Sequence, residues 1–270
     1  MWKYKSSSIF QIIAGFTLGL LICPQLAQAQ LQVGPLVIQK KTEQGQAKGI
    51  IEIKNNGNDV FRGRIDVVPF TYNEDGFEEL KSSPQDLTPF LTISPREFTV
   101  QPGQTRQIRL VAVFLPSTPE GEYRAAVFTE DLKEIESPQK QSSVGIQPRI
   151  GVSLYVSHGN MTPNLTVESS SYDVRKKKII LLVKNSSNIT GFPEGTWTLS
   201  NGQNKIVDGR FTAYTVIAQG KRNIVIDVPQ EKTPLAPGDY QLQGELILDQ
   251  NKLPFNLKFT VPVENSPVKK

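Results

Sequence analysis

The sequence predicts an all-β protein: two tandem β-sandwich domains behind a short export segment. Two observations on pattern and one on spacing predict it. Short apolar runs alternate with polar residues and stop at Gly, Pro, Asn or Asp, as half-buried strands do. Beyond residue 29 no stretch keeps a helical period over ten residues. A set of marks also recurs at matched spacing in the two halves of the chain, the trace of a duplicated unit. Nineteen prolines and twenty glycines suit the many turns such a chain needs.

The export segment comes first. Lys3 and Lys5 form a basic start, residues 9–22 are mostly apolar, and Ala27-Gln28-Ala29 supplies small residues at the cleavage positions. This is the layout of a secretory signal peptide over residues 1–29, cut before Gln30. The apolar run is short for a bilayer span, so an uncleaved anchor is the lesser alternative. The mature chain is expected outside the cytoplasm.

Composition then removes function classes. The full chain carries a net charge of +4, and losing Lys3 and Lys5 leaves about +2. A value so near neutral does not point to nucleic acid. The one cysteine, Cys23, lies in the export segment, so the mature chain has no disulfide, thiol nucleophile or thiolate metal site. The one histidine, His158, cannot build a multi-histidine metal site and is the sole imidazole available to a Ser-His-Asp arrangement. No phosphate-cradling glycine loop or calcium-loop spacing is present. We therefore expect no enzyme, no metal and no cofactor; only carboxylate-based catalysis stays open by composition.

Strands are expected at residues 49–55, 106–114, 122–128, 179–184, 223–228 and 241–248. The repeat ties them together. Ile53-Lys54-Asn55, Pro102-Gly103-Gln104 and Gly121-Glu122-Tyr123 recur as Val183-Lys184-Asn185, Gln219-Gly220-Lys221 and Gly238-Asp239-Tyr240. Gly103 to Tyr123 and Gly220 to Tyr240 are both steps of 20 residues, with the copies 117 apart there and 130 apart at the asparagines. Each tyrosine opens an apolar strand after Gly and an acidic residue. Sandwich folds place there a tyrosine whose ring enters the core and whose hydroxyl bonds nearby backbone.

Each copy ends on a long alternating strand. Val144, Ile146, Pro148, Ile150, Val152, Leu154 and Val156 share one face, and Leu253, Phe255, Leu257, Phe259, Val261 and Val263 share one face of the other. These marks divide the chain into a first domain at 30–157, a linker at 158–163, a second domain at 164–265 and a flexible tail at 266–270.

The first domain, over about residues 31–157, resembles the periplasmic pilus-assembly chaperones, the PapD-like family. The residues that carry the resemblance are Ile51-Glu52-Ile53-Lys54-Asn55-Asn56, Ile93-Ser94-Pro95-Arg96, Val100-Gln101-Pro102-Gly103, Thr105-Arg106-Gln107-Ile108, Leu115-Pro116, Glu122-Tyr123-Arg124 and Arg149-Ile150. The resemblance implies two immunoglobulin-like domains set at an angle. It implies a chaperone that holds secreted pilin-like subunits lacking their last strand, for pilus or cell-surface assembly in the periplasm. The final strand of domain one then fills the client's gap, lending alternate apolar side chains, here Val144 and Ile146. Two basic residues in the cleft between domains hold the client's C-terminal carboxylate. An outer-membrane usher is a further implied partner.

The chain departs from the family at both basic positions. Leu36 stands before Val37-Ile38 where the family has arginine, and Gly151 follows Arg149-Ile150 where it has lysine. Lys40, Lys41 and Arg149 are the nearby candidate carboxylate anchors. The missing pair keeps an alternative open: a non-catalytic extracytoplasmic spacer or adhesion module. Among the remaining features, Arg175-Lys176-Lys177-Lys178 is expected in a hairpin turn and Trp197 in a core. His158 is expected as an exposed linker residue. Asn160, Asn164, Asn185 and Asn188 start Asn-x-Ser/Thr triplets and are read as turn residues.

Overall fold

The computed structural model describes residues 31–132, 149–212 and 214–263. The export segment, Val144, Ile146 and the 266–270 tail lie outside the described residues. The first domain contains β1 (Leu31–Gly34), β2 (Val37–Lys41), β3 (Gln46–Asn55), β4 (Phe61–Val68), β5 (Phe70–Tyr72) and β6 (Phe77–Glu79). It continues with β7 (Leu91–Ser94), β8 (Glu97–Val100), β9 (Thr105–Val113), β10 (Gly121–Asp131) and β11 (Arg149–His158). The second contains β12 (Leu165–Asp173), β13 (Lys178–Asn185), β14 (Glu194–Asn201), β15 (Asn204–Phe211), β16 (Lys221–Ile226), β17 (Gly238–Leu248) and β18 (Asn251–Val261).

Domain one packs the sheet β1-β3-β9-β7 against the sheet β2-β11-β10-β4-β8. The opening strand is split between them. β1 runs antiparallel to β3, the chain turns at Pro35, and β2 joins β11 in parallel from Val37↔Ser153 onward. Proline has no N–H to give a ladder, so Pro35 is a natural place to change sheets. Domain two packs β12-β13-β16 against β15-β14-β17-β18. Each domain holds its own core, one centred on Ile51, Ile53, Ile108, Leu110, Val127, Val152 and Leu154, the other on Ile179, Leu181, Trp197, Leu199, Leu242 and Leu246. The period-two faces expected from sequence are the faces that enter these cores, because alternate Cβ atoms leave a strand on opposite sides.

The repeat marks have a structural meaning. Asn55 and Asn185 are both buried. Asn55 Nδ2 donates to the Asp59 and Val100 carbonyls at 2.7 and 3.0 Å, and its Oδ1 accepts from Gly57 N–H at 3.0 Å. Asn185 Nδ2 donates to the Ile189 and Val216 carbonyls at 2.8 and 3.0 Å, and its Oδ1 accepts from Ser187 N–H at 3.0 Å. The tyrosines match as well. Tyr123 Oη donates to the Pro119 carbonyl at 3.0 Å and Tyr240 Oη to the Ala236 carbonyl at 2.8 Å, with both rings in their cores. Both are sandwich corners.

Several details differ from the sequence expectation. His158 ends β11 instead of opening a linker; its Nδ1 lies 3.1 Å from Thr42 Oγ1 and its ring stacks on Phe114 at 5.2 Å. Val263 lies past the end of β18 and is 71% exposed, because the pairing with β17 stops at Val261. The hairpin β5–β6 belongs to neither sandwich sheet. The basic run does sit in the β12–β13 turn, where Asp173 Oδ1 accepts the N–H groups of Arg175 and Lys176.

Candidate functional site: the cleft between the sandwiches

Domain two covers part of one outer face of domain one. β10 is buried on both faces from Glu122 to Thr129, which a one-sided sheet strand would not be. The cover is a third apolar cluster of Phe70, Ala126, Phe128 and Tyr155 from domain one with Ile217 from domain two, flanked by Phe192. Tyr155 packs edge-on against Phe70 at 5.5 Å and Phe192 at 5.2 Å. Burial pushes its phenol pKa well above the ordinary tyrosine value.

Beside this cluster lies a pocket of about 220 Å³, lined by Gln39, Lys40, Lys41, Glu122, Tyr155, Ser157, Ile189, Thr190 and Phe192. β2 supplies the lysines, β10 the glutamate, β11 the tyrosine, and the loop before β14 the residues of domain two. Glu122 is 3% exposed. Its Oε1 accepts the Thr190 hydroxyl at 2.5 Å, its Oε2 accepts Thr190 N–H at 2.8 Å, and Arg124 Nη1 approaches at 3.4 Å. Arg124 Nε donates to the Phe70 carbonyl at 3.1 Å. A buried charge is tolerated when it is paired and hydrogen-bonded this fully. Burial still lifts the Glu122 carboxyl above the usual carboxylate range, against the pull of Thr190 and Arg124.

The structure brings Lys40 and Lys41 to this pocket and leaves Arg149 away from it. Lys41 opposes Ser157 in the β2–β11 ladder, and Arg149 lies eight residues earlier on β11. At 3.3 Å per residue that is roughly 26 Å along the strand. Lys40 and Lys41 are exposed, and Lys41 Nζ donates to Asn160 Oδ1 at 3.1 Å. Arg149 instead meets Glu130 at 2.8 Å, Asp66 at 3.2 Å and Glu79 at 3.3 Å, with its guanidinium 4.0 Å over the Phe128 ring.

The departure at Gly151 has a local cause. Gly151 pairs with Phe128 across β10–β11, and a Cβ there would come within 2.8 Å of the Phe128 ring. The ring occupies the space that a side chain at 151 would need. Leu36 is 55% exposed and, with Leu31, Val33 and Ile150, borders a hollow between β1 and the start of β11.

Sequence reasoning missed Glu122, Thr190, Tyr155 and Phe192. Two signals were present: Tyr155 on the otherwise small or polar face of β11, and the run Ala125-Ala126-Val127-Phe128, apolar on both faces.

No family model and no curated protein matches the chain. Among solved structures it is similar to the class 5 fimbriae chaperone CfaA, at 12% identity over 86% of this chain and 100% of that one, TM-score 0.48. It is also similar to a chain of the CsuC–CsuE chaperone–tip adhesion subunit pre-assembly complex from Csu pili of Acinetobacter baumannii, at 14% identity over 86% and 98% of the two chains, TM-score 0.47. The E. coli chaperone DraB is similar at 12% identity over 86% and 98%, TM-score 0.45. With TM-scores below 0.5, the two-sandwich description rests on the strand pairing itself.

Proposed function

We propose that this protein is a non-enzymatic periplasmic chaperone that binds pilin-like secreted β-sandwich subunits by donor-strand complementation, for pilus or cell-surface assembly. The observation that carries the reading is the open edge of β11. β2 pairs with β11 only from Ser153 onward, so among the described residues no strand pairs with Arg149–Val152 on that side. An exposed edge is a template for an added strand. Upstream in sequence, Val144 and Ile146 continue the apolar register of Ile150, Val152 and Leu154. A client paired along this edge would receive every second side chain. Two aliphatic donors contribute roughly 3–6 kcal/mol before binding costs. Backbone bonds and a hold on the client's terminus would supply the rest, and Lys40 and Lys41 at the cleft are the proposed carboxylate anchors.

The test is the double change Val144→Asp/Ile146→Asp, with co-purification of periplasmic subunits as readout. Client capture should be lost while the melting temperature stays near that of wild type. Lys40→Ala/Lys41→Ala should weaken capture, and Arg149→Ala should not act through the client's carboxylate. Normal capture by the first double variant would overturn donor-strand complementation and make the spacer or adhesion module the better reading. The three carboxylates engaged by Arg149 and the residues Leu36 and Gly151 favour that second reading.

A further inference from the structure

The β5–β6 hairpin is attached to both sandwiches. At its base Phe70 is fully buried, stacking on Phe77 at 5.3 Å and meeting Tyr155. At its tip Asn73 Oδ1 accepts the N–H groups of Asp75 and Gly76 at 2.9 Å, which sets the turn from within the hairpin. That tip reaches β16 of domain two. Asn223 N–H donates to the Glu74 carbonyl at 2.9 Å, and Asn223 Nδ2 to Asp75 Oδ1 at 3.2 Å. Arg222 Nη1 donates to the Asn73 carbonyl at 3.2 Å, and its guanidinium lies 5.2 Å from the Tyr72 ring.

β16 is an edge strand, paired with β13 on one side only. The hairpin tip therefore takes an edge amide that the sheet leaves open. Position matters too. Glu122, which bridges to Thr190, pairs with Ser157, next to the link between domains. A contact beside the link leaves rotation about that contact free, and a second contact set off from it removes the rotation. Domains joined by one link otherwise move relative to each other by default.

We propose that the β5–β6 hairpin is a brace that fixes the angle between the sandwiches, and with it the width of the cleft holding Lys40, Lys41 and Glu122. The inference concerns the free protein and does not depend on the chaperone reading. Amide residual dipolar couplings of the full chain test it. In wild type one alignment tensor should fit both sandwiches. Asn223→Asp sets a carboxylate against Asp75 and should split the fit, so that the two sandwiches need separate tensors of unequal magnitude, as for domains free to move. Adding Asp75→Asn swaps donor and acceptor and should restore the single tensor. Asp75→Lys, in the exposed turn, sets a cation against Arg222, leaves domain two's sequence intact, and should split the fit as well. A single tensor in Asn223→Asp and in Asp75→Lys would overturn the brace, and so would a split that the added Asp75→Asn does not repair. Client capture need not change in any of these, so failure here is distinct from failure of the donor-strand reading.

Discussion

Asn55 and Asn185 close the same turn in both domains, each with two carbonyls and one amide as partners. Asn55→Ala or Asn185→Ala removes two bonds to carbonyls and one to an amide at a buried turn and should cost about 1–3 kcal/mol in denaturant unfolding. The corner tyrosines carry ring burial and one hydroxyl bond each. Alanine at 123 or 240 should cost about 3 kcal/mol, and phenylalanine about 1 kcal/mol. Glu122 is the residue where pH enters. Its raised pKa means the folded protein holds that proton more tightly than the unfolded chain, whose glutamates titrate near pH ~4.3. The resulting stabilisation is full below that value and is lost as pH rises through the raised pKa. Glu122→Gln keeps the shape without the charge, so the variant should gain stability relative to wild type as pH rises. Melting curves of both proteins across the acid-to-neutral range check this, and a constant difference would place the Glu122 titration in the ordinary range.

At the scale of elements, both sandwiches repeat one device: an aromatic ring laid over a cross-strand glycine. Phe128 covers Gly151, Phe98 covers Gly63, Trp197 covers Gly209, and Phe255 covers Gly244. The ring packs on bare backbone, a way to pin strand register where glycine would weaken it. A Cβ at Gly209 would stand 2.7 Å from the Trp197 indole. Gly209→Val should therefore cost about 1–3 kcal/mol through overpacking, read by thermal unfolding of domain two. The same device accounts for Gly151, where the family resemblance led one to look for lysine. From sequence, strand existence was legible in β3, β9, β10, β13, β17 and β18, and facing in all of these but β10, because a period of two survives only where one face is wet. The hairpin β5–β6 was not legible: its strands are three residues each, too short to show a period, and nothing local says which surface Phe70, Tyr72 and Phe77 cover.

For the whole molecule, the two cores are separate and meet through the cluster of Phe70, Ala126, Phe128, Tyr155 and Ile217. Residues 164–265 should fold alone into a sandwich, since their core is complete without domain one. The fragment should melt below domain two of the full chain, because Ile217 and Phe192 lose their cover, and circular dichroism on the fragment and the full chain measures the difference. A fragment unfolded by amide exchange would make the interface part of the fold.

The sequence by itself determined the long strands β3, β9, β13, β17 and β18 with their inward faces, the duplicated turn and corner residues, and the count of two sandwiches. Those are local or periodic properties, set by Cβ alternation and by side chains that bond within a few residues. Only the tertiary structure decided that Lys40 and Lys41 line one pocket with Glu122 and Thr190 while Arg149 is held among Asp66, Glu79 and Glu130. Nearness along the chain to Leu36 and to Gly151, where the family resemblance leads one to look for basic residues, made these three the candidates. The length of β11 separates them, because a strand carries its two ends to opposite ends of the sheet.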